Sequence, residues 1–286
     1  MATINLGTSS WQFDDWRGVF FPEGLPKRHY LPYYATQFNS VEVNTSFYGV
    51  PRPSTLINWI ESVPAGFSFC LKFPKAITHE KRLVDCEQET YVFLDVLRSL
   101  GEAAAPGLIQ LPPDFTRQCC GKQLALYLDW LASELEGVRV GVEVRSADLL
   151  SPAFATFLAE RNMAYVLVDR EHTPDAYPFW HELITAGRAP SFVLLRWIGD
   201  DKHGPTGNDQ LVAPRDEALQ SWAERLAAIH QAGIDIYGYM HNPYEGHSPA
   251  SLGRLQEALA PFVTLPKWEP THFHQKEDDG GQLSLF

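Results

Sequence analysis

Charged and hydrogen-bonding side chains recur at the ends of short apolar runs in this 286-residue chain. Glu42 and Asn44 alternate with Val41 and Val43, Lys72 comes near the end of FSFCLKF, and Gln110 comes late in GLIQL. Glu143 and Arg145 fall on one side of the run VRVGVEV and its continuation; Asp169 ends AYVLVD, Arg196 lies late in SFVLLRW, and His241 and Asn242 follow IDIYGYM. Successive residues of a strand point to opposite faces, so residues two apart act together. Glu42 or Glu143 could serve as a general base while Lys72, Arg145 and Arg196 bind negative charge. The catalytic candidates are therefore Glu42, Lys72, Glu143 and Arg145, with Asn44, Gln110, Asp169, Arg196, His241 and Asn242 as ligand contacts. Such a set suits an anionic small molecule or a nucleotide-like group, and the enzyme class it suggests is a hydrolase acting on a phosphate-containing substrate. The opposing expectation is a non-enzymatic adaptor or scaffold in which these groups pair with one another as a buried polar plug.

Two other chemistries use the same residues. A retaining glycosidase needs two carboxyl groups about 5 to 5.5 Å apart, and Glu42 with Glu143 are the obvious pair. They come from the second and fifth runs, whereas barrel glycosidases carry theirs on strands four and seven, where this chain has Gln110 and Arg196. A divalent cofactor could use Glu42, Glu143, Asp169 and His241, a hard oxygen set with one imidazole suited to Mg, Mn or Zn. Basic residues match these acids almost one for one, so charge balance does not require the metal.

What must position these groups is a regular alternation of two periods. Eight runs rich in β-branched and apolar residues, near 4–8, 40–45, 67–73, 107–111, 138–144, 164–169, 191–197 and 234–241, predict strands. Helices are expected between them, near 27–37, 54–62, 87–100, 152–161, 178–186 and 249–259. Leu124, Leu128, Leu131 and Leu135 share one helical face, as do Leu219, Trp222, Ala223, Leu226 and Ile229. Gly233 reads as a helix stop, and Ser248-Pro249 as an N-cap with proline at the first helical position. Eight strands each followed by a helix predict a closed parallel (βα)8 barrel of the TIM type, in which catalytic groups sit at the carboxyl ends of the strands. The open doubly wound alternative lacks its GxGxxG fingerprint here. Phosphate is expected in the loops after strands seven and eight, WIGDDKHGPTGND and HNPYEGHSP, at the helix starting near Ser248. Of the aromatic residues near strand ends, Trp11 and Tyr48 are the expected stacking contacts for a ligand.

Composition narrows the class further. A net charge of −12 with 45% hydrophobic residues describes a folded acidic protein, and its field would repel bulk DNA or RNA. No apolar run is long enough to span a bilayer and no basic segment precedes an apolar one at the start, so a cytoplasmic location without membrane contact is expected. Cys70, Cys86, Cys119 and Cys120 show neither zinc spacing nor the pattern of a disulfide framework. A single barrel domain over 1–268 is expected, followed by a flexible polar tail over 269–286.

Several segments in order, GTSSWQFDDWRGVFFP (7–22), YLPYYATQFNSVEVNTSFYGVP (30–51), FCLKFPKAITH (69–79), LIQLPPDF (108–115), VGVEVRS (140–146) and YMHNPYEGHSP (239–249), resemble the DUF72 or YecE-like family. The resemblance runs from the first strand to about residue 265. It implies a (βα)8-type barrel and a polar mouth that includes Trp11, Glu42, Asn44, Tyr48, Lys72, His79, Gln110, Glu143, Arg145 and Asn242, and it implies no reaction. Where many members read FNN near the eighth strand this chain has MHN, which puts His241 in the pattern. The last five residues, QLSLF, resemble the pentapeptide by which bacterial proteins bind the sliding clamp. That resemblance implies docking through Gln282, Leu283, Leu285 and Phe286 and a route to DNA that the chain's own charge would not supply.

Overall fold

The computed structural model describes residues 2–265 together with Trp268 and Pro270. The chain runs β1 (Ile4–Ser9), α1 (Tyr30–Gln37), β2 (Ser40–Val43), α2 (Pro53–Glu61), β3 (Ser68–Leu71), α3 (Glu87–Ser99), β4 (Gly107–Gln110) and α4 (Arg117–Glu134) in its first half. The second half runs β5 (Val140–Glu143), α5 (Pro152–Ala159), β6 (Ala164–Tyr165), β7 (Leu167–Arg170), α6 (Tyr177–Thr185), β8 (Phe192–Gly199), α7 (Asp216–Gln231), β9 (Asp235–Met240) and α8 (Ser248–Leu259). All strand pairs are parallel, in the orders β3-β2-β1-β9-β8-β7 and β4-β5-β6.

Two seams join these sheets into a ring. At one, the Phe73 N–H donates to the Leu108 carbonyl at 2.8 Å and the Ala105 N–H to the Phe69 carbonyl at 3.1 Å, tying β3 to β4. At the other, β6 and β7 are one interrupted strand: the Val166 N–H between them donates to the Val142 carbonyl on β5, and β7 then pairs with β8. The result is the expected eight-stranded barrel, its sixth strand broken at Val166.

The strands read as continuous apolar runs because both of their faces are covered, by the barrel interior and by the helices. All eight residues of β8 are buried. The leucine stripe of α4 and the Leu219, Trp222, Ala223, Leu226 and Ile229 stripe of α7 are buried as their periods predict. Removing a side chain of that size from water contributes roughly 1.5–3 kcal/mol apiece. Inside the barrel, Gly141 leaves room for Leu194, whose Cδ2 would lie 2.9 Å from any Cβ added there. After α7 the chain turns at Gly233 with φ +80°, the left-handed stop its sequence predicts.

Two details differ from expectation. At the start of α8 the capping acceptor is Asn242, whose Oδ1 accepts from the Ser248 N–H at 2.9 Å and from the Ser248 hydroxyl at 2.7 Å. Ser248 therefore donates its hydroxyl rather than capping with it. Cys119 and Cys120, in the first turn of α4, are joined by a disulfide between sequence neighbours, while Cys70 and Cys86 are buried free thiols. The adjacent link closes no long loop and so restrains the unfolded chain little. Among the described residues no helix is long and apolar enough to cross a membrane. Apart from Pro270, the tail expected over 269–286 lies outside the described residues, and the pentapeptide lies there entirely.

Candidate functional site

Alternation along the strands sends one residue in two toward the barrel axis. Ser40 and Glu42 of β2, Ser68 and Cys70 of β3 with Lys72 just beyond it, Gln110 of β4, Glu143 of β5, Arg196 of β8, and Tyr239 of β9 with His241 beyond it form two stacked polar layers. In the lower layer the Ser68 hydroxyl donates to Ser40 Oγ at 2.9 Å, and Ser40 Oγ and Tyr239 OH are also 2.9 Å apart. Sequence reasoning missed this layer, although Ser40 and Tyr239 stand two residues, and Ser68 four, before a singled-out polar group on the same face.

The upper layer centres on Arg196, which is buried. Its Nε donates to Glu42 Oε2 at 2.7 Å and its Nη2 to Glu42 Oε1 at 2.8 Å, while its Nη1 donates to Glu143 Oε2 at 2.5 Å. The other oxygen of Glu143 accepts from Arg145 Nε at 3.0 Å. Arg145 Nη2 reaches Gln110 Oε1 at 3.2 Å, and the same oxygen accepts from Lys72 Nζ at 2.6 Å. Lys72 Nζ also stands 4.2 Å from the centre of the Phe47 ring, a cation–π contact. His241 Nε2 is 3.7 Å from Glu42 Oε1, and that nitrogen is buried without a hydrogen-bond partner among the described residues.

These placements set the charges. Burial by itself would raise the pKa of Glu42, but the Arg196 charge and then His241 more than reverse it and hold the carboxyl well below the usual range. Glu143 is likewise lowered by Arg196 and Arg145 against the effect of burial. Burial, with Arg196 next, brings Lys72 down to about 8. His241 is held below its ordinary value by burial and Arg196, and His79 by burial followed by Lys72 and Arg145. Two carboxylates face three cations. Every carboxylate oxygen of the two is engaged by a guanidinium, and among the described residues Lys72 has no carboxylate within ion-pair distance.

Of the candidates read from sequence, Glu42, Lys72, Gln110, Glu143, Arg145 and Arg196 come together, with His241 beside Glu42. Asn44 sits next to them and donates to Ser9 Oγ at 2.7 Å. His79 lies in a π-helical turn, Ala76–Glu80, and packs edge-on against Phe47 at 4.9 Å; Tyr48 is 76% exposed at the rim. Three candidates lie elsewhere. Asp169 accepts from Trp222 Nε1 of α7 at 2.7 Å and from Tyr244 OH at 2.8 Å, so it faces the helical shell rather than the mouth. Trp11 is buried edge-on against Trp59, because the chain turns at Ser10 with φ +77° directly after β1. Asn242 spends its oxygen capping α8, though its Nδ2 is buried and has no partner among the described residues.

Three chemistries are corrected by this geometry. The cation set Glu42, Glu143, Asp169 and His241 is not assembled: Asp169 faces away, and among the described residues no three His, Cys, Asp or Glu side chains converge on one point. The glycosidase pair is filled by the guanidinium of Arg196, where a sugar would have to stand. The N–H of Ser248 at the start of α8 is taken by Asn242, and in the loop after β8 the Lys202 and His203 N–H groups bind Asp200 Oδ1, a carboxylate of the chain itself. Phosphate is therefore not expected at either place.

Comparison with known proteins agrees with the fold. The chain is 28% identical to the UPF0759 protein YecE of Escherichia coli K12 over 280 residues, covering 92% of this chain and 94% of that one. It is 22% identical to the UPF0759 protein YunF of Bacillus subtilis, covering 90% and 94%. A DUF72 family protein of Thermotoga maritima superposes with a TM-score of 0.72 at 21% identity, over 90% of this chain and 99% of that one. One from Enterococcus faecalis gives 0.72 at 21%, over 95% and 100%. At those identities the solved structures speak for the fold alone. Residues 5–272 match the family described as protein of unknown function DUF72, and the chain belongs to that family.

Proposed function

We propose that the mouth binds a small anionic molecule, with Lys72 and Arg145 as its charge contacts. The observation that carries this reading is the amine: Lys72 is buried, bound to an amide oxygen and a ring, and among the described residues left without a carboxylate. A plug built only for stability would leave no buried cation uncompensated, since an unpaired charge costs several kcal/mol. An incoming carboxylate or phosphate supplies the missing negative charge. Acid–base work falls to Lys72, or to His79 near it, rather than to Glu42 or Glu143, because a carboxylate held well below its ordinary pKa is a weak base at neutral pH. Titration of the protein with inorganic phosphate and with small carboxylates, followed by thermal shift, tests the reading. Binding should be lost in Lys72→Met; equal binding by wild type and variant would overturn it.

The tail supports a second, separable proposal. QLSLF carries two leucines and a phenylalanine after the polar stretch KEDDGG, a pattern that suits an apolar pocket on a partner. We propose that Gln282, Leu283, Leu285 and Phe286 dock on a bacterial sliding clamp and so bring an acidic barrel to DNA metabolism. Titration of purified clamp should show binding by the full chain and none by a chain lacking 282–286. Equal binding by both, or none by either, would sink it.

A further inference from the structure

Resting on the anion-binding reading of the mouth, we infer that Lys72 is an imine-forming amine, and that the ligand class is an oxo acid: a carbonyl carbon next to a carboxylate. Four features of the site point there together. Among the described residues the amine of Lys72 has one hydrogen-bond acceptor, Gln110 Oε1, and no carboxylate to hold it as an ammonium ion. Arg145 donates to that same oxygen, so a guanidinium suited to a carboxylate stands within two hydrogen-bond lengths of the amine. Burial, with the positive charge of Arg196 next, disfavours protonation of the amine even against Glu143, Glu42 and the cation–π contact with Phe47. His79 packs on the same ring, with its Nδ1 at 2.8 Å from the Thr78 hydroxyl and no hydrogen-bond partner at its other nitrogen among the described residues, and in the inferred step it carries the proton. Anion binding alone would not need the amine neutral; attack on a carbonyl does.

The step balances without any oxidant. The neutral amine of Lys72 attacks the carbonyl carbon, forming a C–N bond as the C=O π pair moves to oxygen, which takes up a proton from the nitrogen. The carbinolamine then loses its hydroxyl as water, the second proton coming through His79 or solvent. Counted from the ammonium form, one Lys72 ammonium and one carbonyl give one iminium and one water, with the charge conserved.

The test uses the full-length protein with pyruvate as the charged carbonyl, propanal as the uncharged one and lactate as the carboxylate without a carbonyl. Sodium borohydride supplies hydride to reduce any imine to a stable secondary amine, and peptide mass mapping locates it. Pyruvate should label Lys72 on the order of a hundredfold faster at neutral pH than an ordinary lysine, following the larger neutral fraction of an amine near 8. Arg145→Gln should slow labelling of Lys72 by pyruvate far more than labelling by propanal, and the propanal adduct that remains reports that the variant is folded. Labelling spread evenly over all lysines overturns the inference. So does a protein whose thermal shift with lactate is intact and lost in Lys72→Met but which gives no adduct; the anion site then stands and the imine falls. Absence of both adduct and anion binding overturns both readings.

Discussion

Arg196 and Lys72 are both buried cations in one layer of side chains, yet their surroundings make opposite demands on stability. Arg196 has three charge-assisted bonds to two carboxylates, so removing one partner leaves a charge buried with half its compensation. Glu42→Ala should cost about 3–5 kcal/mol by chemical denaturation. Lys72→Met removes an amine that has no ion pair, and the unfolding midpoint should stay level or rise. The same contrast has a pH signature. The folded pKa of Lys72, about 8, lies below the ordinary lysine value of 10.5, so between those values the unfolded chain binds the extra proton and stability rises with pH. Below pH 8 the full cost is present, about 3 kcal/mol for a shift of that size. Buried tyrosines and cysteines with raised pKa values, Tyr34, Tyr127 and Cys70 among them, act in the opposite direction at high pH. The measurement is therefore the difference between wild type and Lys72→Met. That difference should close between pH 8 and 10.5, and a difference flat over the range would contradict the neutral-amine description.

At the scale of elements, Asn242 and Asp169 tie loops and helices to the barrel from outside the mouth. Asn242→Ala should cost about 1–2 kcal/mol through the uncapped start of α8. Asp169→Ala orphans the indole N–H of Trp222 and the hydroxyl of Tyr244 and should cost about 1–3 kcal/mol. Asp169→Ala should leave phosphate and lactate affinity unchanged; a loss of affinity would return Asp169 to the site. These two residues also mark where the sequence stops being legible. Glu42 can be placed on the inner face because valines flank it on a strand whose neighbours are equally patterned. Asp169 cannot, since AYVLVD is apolar on both faces and nothing in it says which parity points inward. The barrel itself is legible because every apolar run is separated from the next by an amphipathic helix. The fate of Trp11 is not, because one left-handed residue, Ser10, decides where the ring goes. The pairing of Arg196 with two glutamates from strands far apart in sequence likewise depends on closure of the ring, which no local pattern encodes.

The closed ring gives the whole molecule a weak place and a use for it. Most neighbouring strands share ladders of three to six paired residues, but β3 and β4 are joined outside any regular ladder, by isolated bridges at Phe69–Ala104 and Lys72–Leu108. Few backbone bonds cross that seam, so it should open at lower free energy than the β1–β9 pair. Lys72 lies on one edge of the seam and Gln110 on the far side, with Arg145 one strand further on, and the oxygen of Gln110 is what the two cations share. An anion held by Lys72 and Arg145 would span the seam and be released whenever it opened. Binding to the closed state alone stabilises it by RT ln(1 + [L]/Kd), about 2.7 kcal/mol at a hundredfold excess over Kd. Hydrogen exchange of the Phe73 and Ala105 amides, which make the seam bonds, should therefore be faster than that of the β1–β9 amides in the free protein. It should slow on the order of a hundredfold when the anion is added, with much smaller changes at β1 and β9. Uniform slowing across the barrel would mean that the ligand reports on global unfolding only, and no slowing at Phe73 and Ala105 would mean that the anion does not bridge Lys72 and Arg145.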